Sequence, residues 1–598
     1  MDEGVVKPVI KVGCCALVIW CAAFLLAAGG AEVLLVCEPS ADRGKVTCEI
    51  ESGWSVLARR SNDAAGRELL TFDFTADAPR TPPKTKISFD FPARDAVGRW
   101  HAGAGLAKNL PPNWGGRFTS SLARNAPVVA VFSDTDANRG VIACSESRRT
   151  VGFSLGVIEE TGRIAYEANL FDEREAPIAS YRVSFLLDFR DVLYDRAIRE
   201  AFAWYETLPD YEPISVPESA FDPLYSFWYS YHQNLFAEPV EKECALAAAD
   251  GFKTAIVDDG WQTDDTNRGY AFCGDWQVST NRFPDFAAHV ARVHAFGLKY
   301  MLWFSVPYVG RNSANYARFR GKFLFENERS GTAVLDPRFP DVRTFLAELY
   351  AKALKEWGLD GLKLDFIDAM QCPDPDPAVA EDYAGRDIRS LAAAIDCLMK
   401  DIRRRAREIK PDCLIEFRQT YVGPSMRQYG NMFRAADCPM DYLSNRVRTI
   451  DLRLSSGPVA VHSDMLMWEP GPSPDVVAKQ FWSILFSVPQ ISMRFGELSP
   501  AQRAKLREML SFWNAHRETL MRGELHAVRP DLNYPLVTAS GKGEQVVAVY
   551  DAARTVEIDR TRGQRVFLVN ATSAGRLCVR ENGRIAEVSV PPFGTAEL

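Results

Sequence analysis

Between about Leu224 and Leu520 the chain alternates short apolar runs with amphipathic helical patterns, and it does so eight times. The strand-like runs are Leu224–Tyr231, Thr254–Asp258, Lys299–Phe304, Leu362–Phe366, Cys413–Phe417, Met432–Ala436, Val459–His462 and Gln490–Arg494. Between most of them, apolar residues recur at helical spacing, as in Phe286–Phe296, Val342–Trp357, Asp387–Ile409, Val476–Phe486 and Ala501–Leu520. Strands that alternate with helices belong to a parallel sheet covered by its own crossovers. Eight units in a row predict a (β/α)8 TIM barrel.

The flanks read differently. Before the barrel, runs such as Lys86-Ile87-Ser88-Phe89-Asp90-Phe91 and Val128-Val129-Ala130-Val131-Phe132 are separated by Gly, Pro and Asp/Asn clusters. That pattern predicts an antiparallel sandwich, followed by a helix near Leu193–Leu208 and a Pro-containing link to Pro223. After the barrel, Val546-Val547-Ala548-Val549-Tyr550 and Arg565-Val566-Phe567-Leu568-Val569 are β-like again. The expected chain is multidomain: a leader over residues 1–31, an N-terminal β-sandwich over 32–222, a catalytic barrel over 223–521 and a small C-terminal β-sandwich over 522–598.

The leader joins Lys7 and Lys11 to an uncharged stretch, Val12–Ala31, that ends in small residues. This is the pattern of a secretory signal. The stretch also reaches the minimum length of a membrane anchor, and a start codon set too early would give a tail foreign to the fold. The expectation is an exported protein, periplasmic, extracellular or anchored, with any membrane association confined to residues 12–31. Without an authentic leader the protein would be cytoplasmic.

Composition narrows the class. Of 598 residues, 47% are hydrophobic and 25% charged, with a net charge of −8. That is globular, and it excludes a disordered or polytopic membrane chain. No Lys/Arg run points to nucleic acid as a partner. The 13 cysteines form no C-x-x-C pair and no Cys/His cluster, so no structural zinc is expected. Cys37 and Cys48 could pair across a hairpin.

Chemistry in such a barrel sits at the C-terminal ends of its strands, and the polar residues there are mostly carboxylates. The second run ends in Asp258-Asp259-Gly260-Trp261. One acid suits ligand hydroxyls and the other suits loop ordering. The fourth run, Gly361-Leu362-Lys363-Leu364-Asp365-Phe366, puts Lys363 and Asp365 on one inward face. The lysine would lower the pKa of the aspartate, which suits a nucleophile; a structural ion pair is the competing reading. Asp437 follows the sixth run as a second carboxylate or a loop-ordering one. His462 and Asp464 share a face of the seventh run, where sugar-binding or supporting roles fit better than metal ligation, since only one histidine would reach the site. Trp303 could stack on a sugar or pack in the core.

At these residues the chain resembles glycoside hydrolase family 36, the melibiase-type α-galactosidases whose relatives include raffinose synthases. The likeness is carried by Val257-Asp258-Asp259-Gly260-Trp261, Gly274-Asp275-Trp276 before Arg282-Phe283-Pro284, Leu302-Trp303-Phe304, Leu335-Asp336-Pro337 and Leu362-Lys363-Leu364-Asp365. It implies an N-terminal β-supersandwich, the barrel and a small C-terminal β-sandwich. It also implies retaining hydrolysis of terminal α-linked sugars in oligosaccharides or glycoconjugates, without metal or cofactor, by proteins that often oligomerise. Asp365 matches the nucleophile and Asp437 the acid/base. Asp258, Asp259, Trp261, Trp303, Lys363, Arg418, His462 and Asp464 are the expected substrate-binding set. The chain departs from the family at Ser305-Val306, at Glu416-Phe417-Arg418-Gln419 in place of a glycine-rich loop, and at Ala436-Asp437-Cys438-Pro439. Retaining chemistry is therefore better supported than galactose itself; α-galactosidase is the leading expectation, with α-N-acetylgalactosaminidase, a transglycosylase and a non-catalytic carbohydrate-binding protein as alternatives. Proximity to Asp365 is expected to raise the pKa of Asp437.

Overall fold

The computed structural model describes residues 25–28, 31–40, 42–51, 53–173, 175–562 and 565–598. Most of the leader lies outside the described residues. Its last part, Leu25–Ala28, pairs with Ala31–Cys37 at the edge of a sheet. No described helix is long and apolar enough to cross a membrane.

Each of the eight predicted runs overlaps a barrel strand, to within a residue at β3, β4 and β5: β1 (Leu224–Ser226), β2 (Thr254–Val257), β3 (Lys299–Ser305), β4 (Gly361–Asp365), β5 (Leu414–Arg418), β6 (Met432–Arg434), β7 (Ala460–His462) and β8 (Gln490–Ile491). They form one parallel sheet in the order β7-β6-β5-β4-β3-β2-β1-β8. A parallel bridge between His462 and Val488 joins the two ends. The first run is mostly not strand, because the chain turns at Phe227 into a short helix, Trp228–Tyr231.

The crossover helices start and stop where local chemistry requires. Ser390 caps Leu391–Ile409 by accepting from the Ala393 amide, and Ser499 caps Pro500–Arg522 in the same way. Pro340 opens Pro340–Trp357, and Gly358 ends it at φ 68°, a backbone conformation that suits a residue without Cβ.

The N-terminal part stacks a seven-stranded sheet on a six-stranded one. Phe89 and Tyr166 from the first meet Phe72, Val131 and Phe185 from the second in one core. Cys37 lies opposite Val46 in the ladder while Cys48 lies opposite Leu34. Cys48 is a buried free thiol, so the bridge considered from sequence is not formed. The C-terminal part has a five-stranded and a three-stranded sheet, with Val547, Leu568, Leu577 and Val579 in a shared core.

One buried carboxylate ties the three parts together. Asp451, on the barrel helix Tyr442–Ser455, accepts from Trp100 Nε1 at 2.7 Å and from Lys108 Nζ at 2.9 Å, both in the sandwich, and from Tyr534 Oη at 2.5 Å in the C-terminal part.

Candidate active site

A cavity of about 140 Å³ opens at the C-terminal end of the barrel, lined by Trp228, Asp258, Asp259, Tyr270, Trp303, Lys363, Asp365, Phe366, Arg418, Arg434 and Asp437. Asp365 ends β4, and Asp437 stands three residues past the end of β6. These two carboxylates, 72 positions apart in sequence, face one space because β4, β5 and β6 are neighbours in the ring.

Asp365 is 7% exposed and held from both sides. Its Oδ1 accepts from the Phe366 amide at 2.7 Å, Arg418 Nε at 2.7 Å and Tyr421 Oη at 2.9 Å. Its Oδ2 accepts from Trp303 Nε1 at 3.0 Å. Burial works against ionisation, but Arg418 and Lys363, with the Trp303 bond, hold the carboxyl well below the usual carboxylate range.

The sequence expectation paired Lys363 with Asp365. Instead, Lys363 Nζ donates to Asp258 Oδ2 at 2.6 Å and acts on Asp365 only through space. Arg418 is the direct partner. The inward face of β4 does carry both Lys363 and Asp365, but the lysine is long enough to reach across to the end of β2.

The acidic pair divides its work. Asp258 holds Lys363 and accepts from the Asp259 amide at 3.0 Å. Asp259 receives two amide donors, Gln233 Nε2 and Gln262 Nε2, each at 2.6 Å. Burial pushes Asp259 up to about 6, opposed by those bonds and aided by Asp258. Gly260 sits at φ 118°, and a Cβ there would lie 2.6 Å from Gln233 Cα. The glycine of Asp258-Asp259-Gly260 thus lets the Gln233 backbone pass close enough to orient Asp259.

Asp437 is different. Its side chain is 49% exposed, and Oδ1 lies 2.9 Å from Arg434 Nη1. Burial favours the neutral acid, but Arg434, with Lys363 and Arg418 beyond it, outweighs both burial and repulsion from Asp365. Its pKa is lowered, not raised as expected. Repulsion from Asp365 is present, but the arginine on β6 outweighs it.

Three expected site residues do not line the cavity. Trp261 is fully buried, donates to the Trp303 carbonyl at 2.9 Å and packs against Trp276 and Trp357. His462 is fully buried, bonds the Ala220 carbonyl at 2.7 Å, and burial lowers its pKa to about 4. Asp464 lies behind the wall, where it ion-pairs with Arg434 and accepts from Tyr229 Oη at 3.0 Å and the Cys438 amide at 2.6 Å. Inward register carried His462 and Asp464 onto the right face, but at a depth that other side chains cover, and Trp261 belongs to the turn after β2, its indole buried beneath the loop. Trp303 does line the cavity; its indole edge holds Asp365 while its ring lies against Tyr270 and Phe366. Glu416 is fully buried under the floor with Gln490 and Arg434. Among the described residues no three His, Cys, Asp or Glu side chains gather as a metal-holding group.

Four lining residues escaped the sequence reading: Trp228, Tyr270, Phe366 and Arg434. An arginine in the apolar run Met432-Phe433-Arg434-Ala435 was a usable signal, since a buried cation needs a partner. Tyr270 comes from the long loop after β2, which has no periodicity to follow.

The other shared motifs are scaffold. Asp275 accepts from the Ala314 and Asn315 amides at 2.8 and 3.0 Å. Asp336 holds Arg338 and Arg386, each at 2.9 Å. Arg282 Nη2 donates to the Asp264 carbonyl at 3.0 Å.

A parallel eight-stranded barrel with carboxylates around its C-terminal mouth, set between two β-rich parts, has known counterparts. Residues 228–404 match the family model described as Melibiase. This stretch includes Asp258, Asp259, Trp303, Lys363 and Asp365; Arg418, Arg434 and Asp437 lie beyond it. The fold is that of GH36 alpha-galactosidases. The GH36 alpha-galactosidase AgaA from Geobacillus stearothermophilus is 16% identical with a TM-score of 0.60, over 95% of this chain and 82% of that one. The alpha-galactosidase from Lactobacillus brevis is 14% identical with a TM-score of 0.58, over 87% and 74%. A further relative, "A type blood alpha-D-galactosamine galactosaminidase" of Flavonifractor plautii, is 25% identical over 186 residues. That alignment takes in 27% of this chain and only 16% of the relative's length.

Proposed function

We propose that this chain is a retaining, exo-acting α-glycosidase that removes terminal α-linked galactose from oligosaccharides. The observation that carries the proposal is the pairing of Asp365 and Asp437 on one small cavity, with Asp365 charged, buried and rigidly held. A cavity of about 140 Å³ suits one terminal sugar better than the middle of a polymer. Every cation lining it already has an anionic partner: Lys363 on Asp258, Arg418 on Asp365, Arg434 on Asp437 and Asp464. That charge balance favours a neutral sugar. Alpha-galactosidase structures of this fold hold stachyose and raffinose, which supports an oligosaccharide as substrate.

In the first step Asp365 forms a bond to the anomeric carbon while the glycosidic bond breaks and Asp437 gives its proton to the departing oxygen. In the second, Asp437 takes a proton from water as that water displaces Asp365, and the α configuration is restored. Asp258, Asp259 and the Lys363 ammonium hold sugar hydroxyls during both steps.

The galactosaminidase relative favours one second reading, an α-N-acetylgalactosaminidase. Aryl α-galactoside and aryl α-N-acetylgalactosaminide, followed by proton NMR, separate the two and test the stereochemistry. The reading expects the α-anomer first, and no turnover by Asp365→Asn. A β-anomer first, or an unimpaired Asp365→Asn, contradicts it.

A further inference from the structure

We infer that Arg418 is a positioning residue for the breakdown of the glycosyl-enzyme: it fixes Oδ2 of Asp365 as the attacking atom and holds Oδ1, the oxygen through which the carboxylate shares its returning charge with the guanidinium when it leaves. The inference rests on the retaining mechanism proposed above.

The two oxygens of Asp365 are not equivalent. Oδ1 is surrounded by three donors, the Phe366 amide, Arg418 Nε and Tyr421 Oη. Oδ2 has one, Trp303 Nε1. A carboxylate oxygen offers about two lone-pair sites, so Oδ1 has none left for an anomeric carbon and Oδ2 keeps one. Arg418 is itself fixed: Nη1 donates to the Gln419 carbonyl at 3.0 Å, and the guanidinium lies over Phe366 and Tyr421 at 5.3 and 5.7 Å. A guanidinium locked by stacking and by a backbone carbonyl has little freedom to follow a substrate, which argues against a simple sugar-binding role.

The consequence follows from charge. In glycosylation the electron pair on Oδ2 becomes the new C–O bond, the C–O bond to the aglycone breaks, and the departing oxygen takes the Asp437 proton. The negative charge beside Arg418 is lost. In deglycosylation the water oxygen bonds to the anomeric carbon, its proton goes to Asp437, and the electron pair of the C–Oδ2 bond returns to Asp365. The charge beside Arg418 is regained, so a fixed cation on Oδ1 makes Asp365 a weaker nucleophile and a better leaving group. A charge-assisted bond of this kind is shorter and stronger than a neutral one.

The test is steady-state and stopped-flow kinetics of the full chain on an aryl α-glycoside with an activated leaving group, comparing wild type, Arg418→Met and Tyr421→Phe. Arg418→Met is expected to lower kcat about 10- to 100-fold, the range for losing a hydrogen bond to a charged group. KM is expected to fall by at least as much, so that kcat/KM, which reports the attack of Asp365, holds or rises. A burst of aryl alcohol equal to the enzyme, and a glycosyl adduct in the mass spectrum, are expected with it. Tyr421→Phe removes a neutral donor from the same oxygen and should show the same pattern more weakly, which keeps the test open if Arg418→Met does not fold. Loss of kcat/KM at unchanged kcat, or no burst in either folded variant, overturns the assignment. A wild type that turns over no α-glycoside, or one that inverts, overturns instead the reading on which it rests.

Discussion

Arg434 donates to Asp437 across 2.9 Å and, with the same nitrogen, reaches Asp464 behind it. The half-exposed carboxylate proposed as acid and base is therefore tied to a fully buried anion through one guanidinium. Charge at the mouth of the cavity is set by an arginine, two aspartates that share it, and the more distant Lys363, Arg418 and Asp365.

This arrangement fixes the sign of the pH dependence. Asp437 must be protonated to donate, and its pKa in the free protein is lowered, so the competent form is lost as pH rises through that lowered value. The kcat/KM profile, which reports the free enzyme, should fall with rising pH from the acidic side. The kcat profile should hold to higher pH, because bound sugar covers the carboxylate and desolvation raises its pKa. Arg434→Met should move the basic limb of kcat/KM upward. Coincident profiles, or no shift in the variant, would contradict the role given to Arg434.

Gly260→Ala should disturb both fold and site. The position combines φ 118° with a Cβ lying 2.6 Å from Gln233 Cα. Strain of this kind costs about 1–3 kcal/mol, readable as a lowered denaturant midpoint. Because Gln233 orients Asp259, the folded variant should also show a raised KM. An unaltered midpoint would mean that the loop gives way without resistance.

Asp451→Leu tests the junction of the three parts. It leaves Lys108 buried without its partner and removes an acceptor from Trp100 and Tyr534. Removing one member of a buried ion pair costs about 3–5 kcal/mol. Chemical denaturation should show that loss, with kcat little changed in the protein that remains folded. A loss below about 1 kcal/mol would mean that water or a neighbour takes over the partnership.

Trp261→Phe separates scaffold from binding surface. Trp261 packs among Trp276, Phe286, Phe304 and Trp357 and does not line the cavity. The variant should lose stability, by about 1–3 kcal/mol for a well-packed aromatic made smaller, and keep its KM. A raised KM at unchanged stability would return Trp261 to the sugar-binding set.

The barrel was legible because period and length recur eight times, and Leu362-Lys363-Leu364-Asp365 was legible because strand alternation alone puts both charges inward. What was not legible were partners chosen across the ring. Lys363 prefers Asp258, 105 positions away, to Asp365 two positions away. Arg418 and Arg434 each neutralise an aspartate whose chemistry had been argued without them. Register gives a side chain's face but not its depth, so His462 and Asp464 were placed correctly around the ring and too near its mouth. The same limit explains Trp261, whose motif reads as a binding loop but whose indole lies under it.

Asp365 forms the covalent bond to the sugar on which the proposed double displacement turns. An α-galactosyl fluoride carrying a ring fluorine slows both displacements by destabilising positive charge, while its fluoride leaving group speeds the first, so the covalent species accumulates. Digestion and peptide mass mapping should then find one sugar, on the peptide holding Asp365, and none in Asp365→Asn. A label on Asp437 or elsewhere, or inactivation without any covalent sugar, would contradict the account.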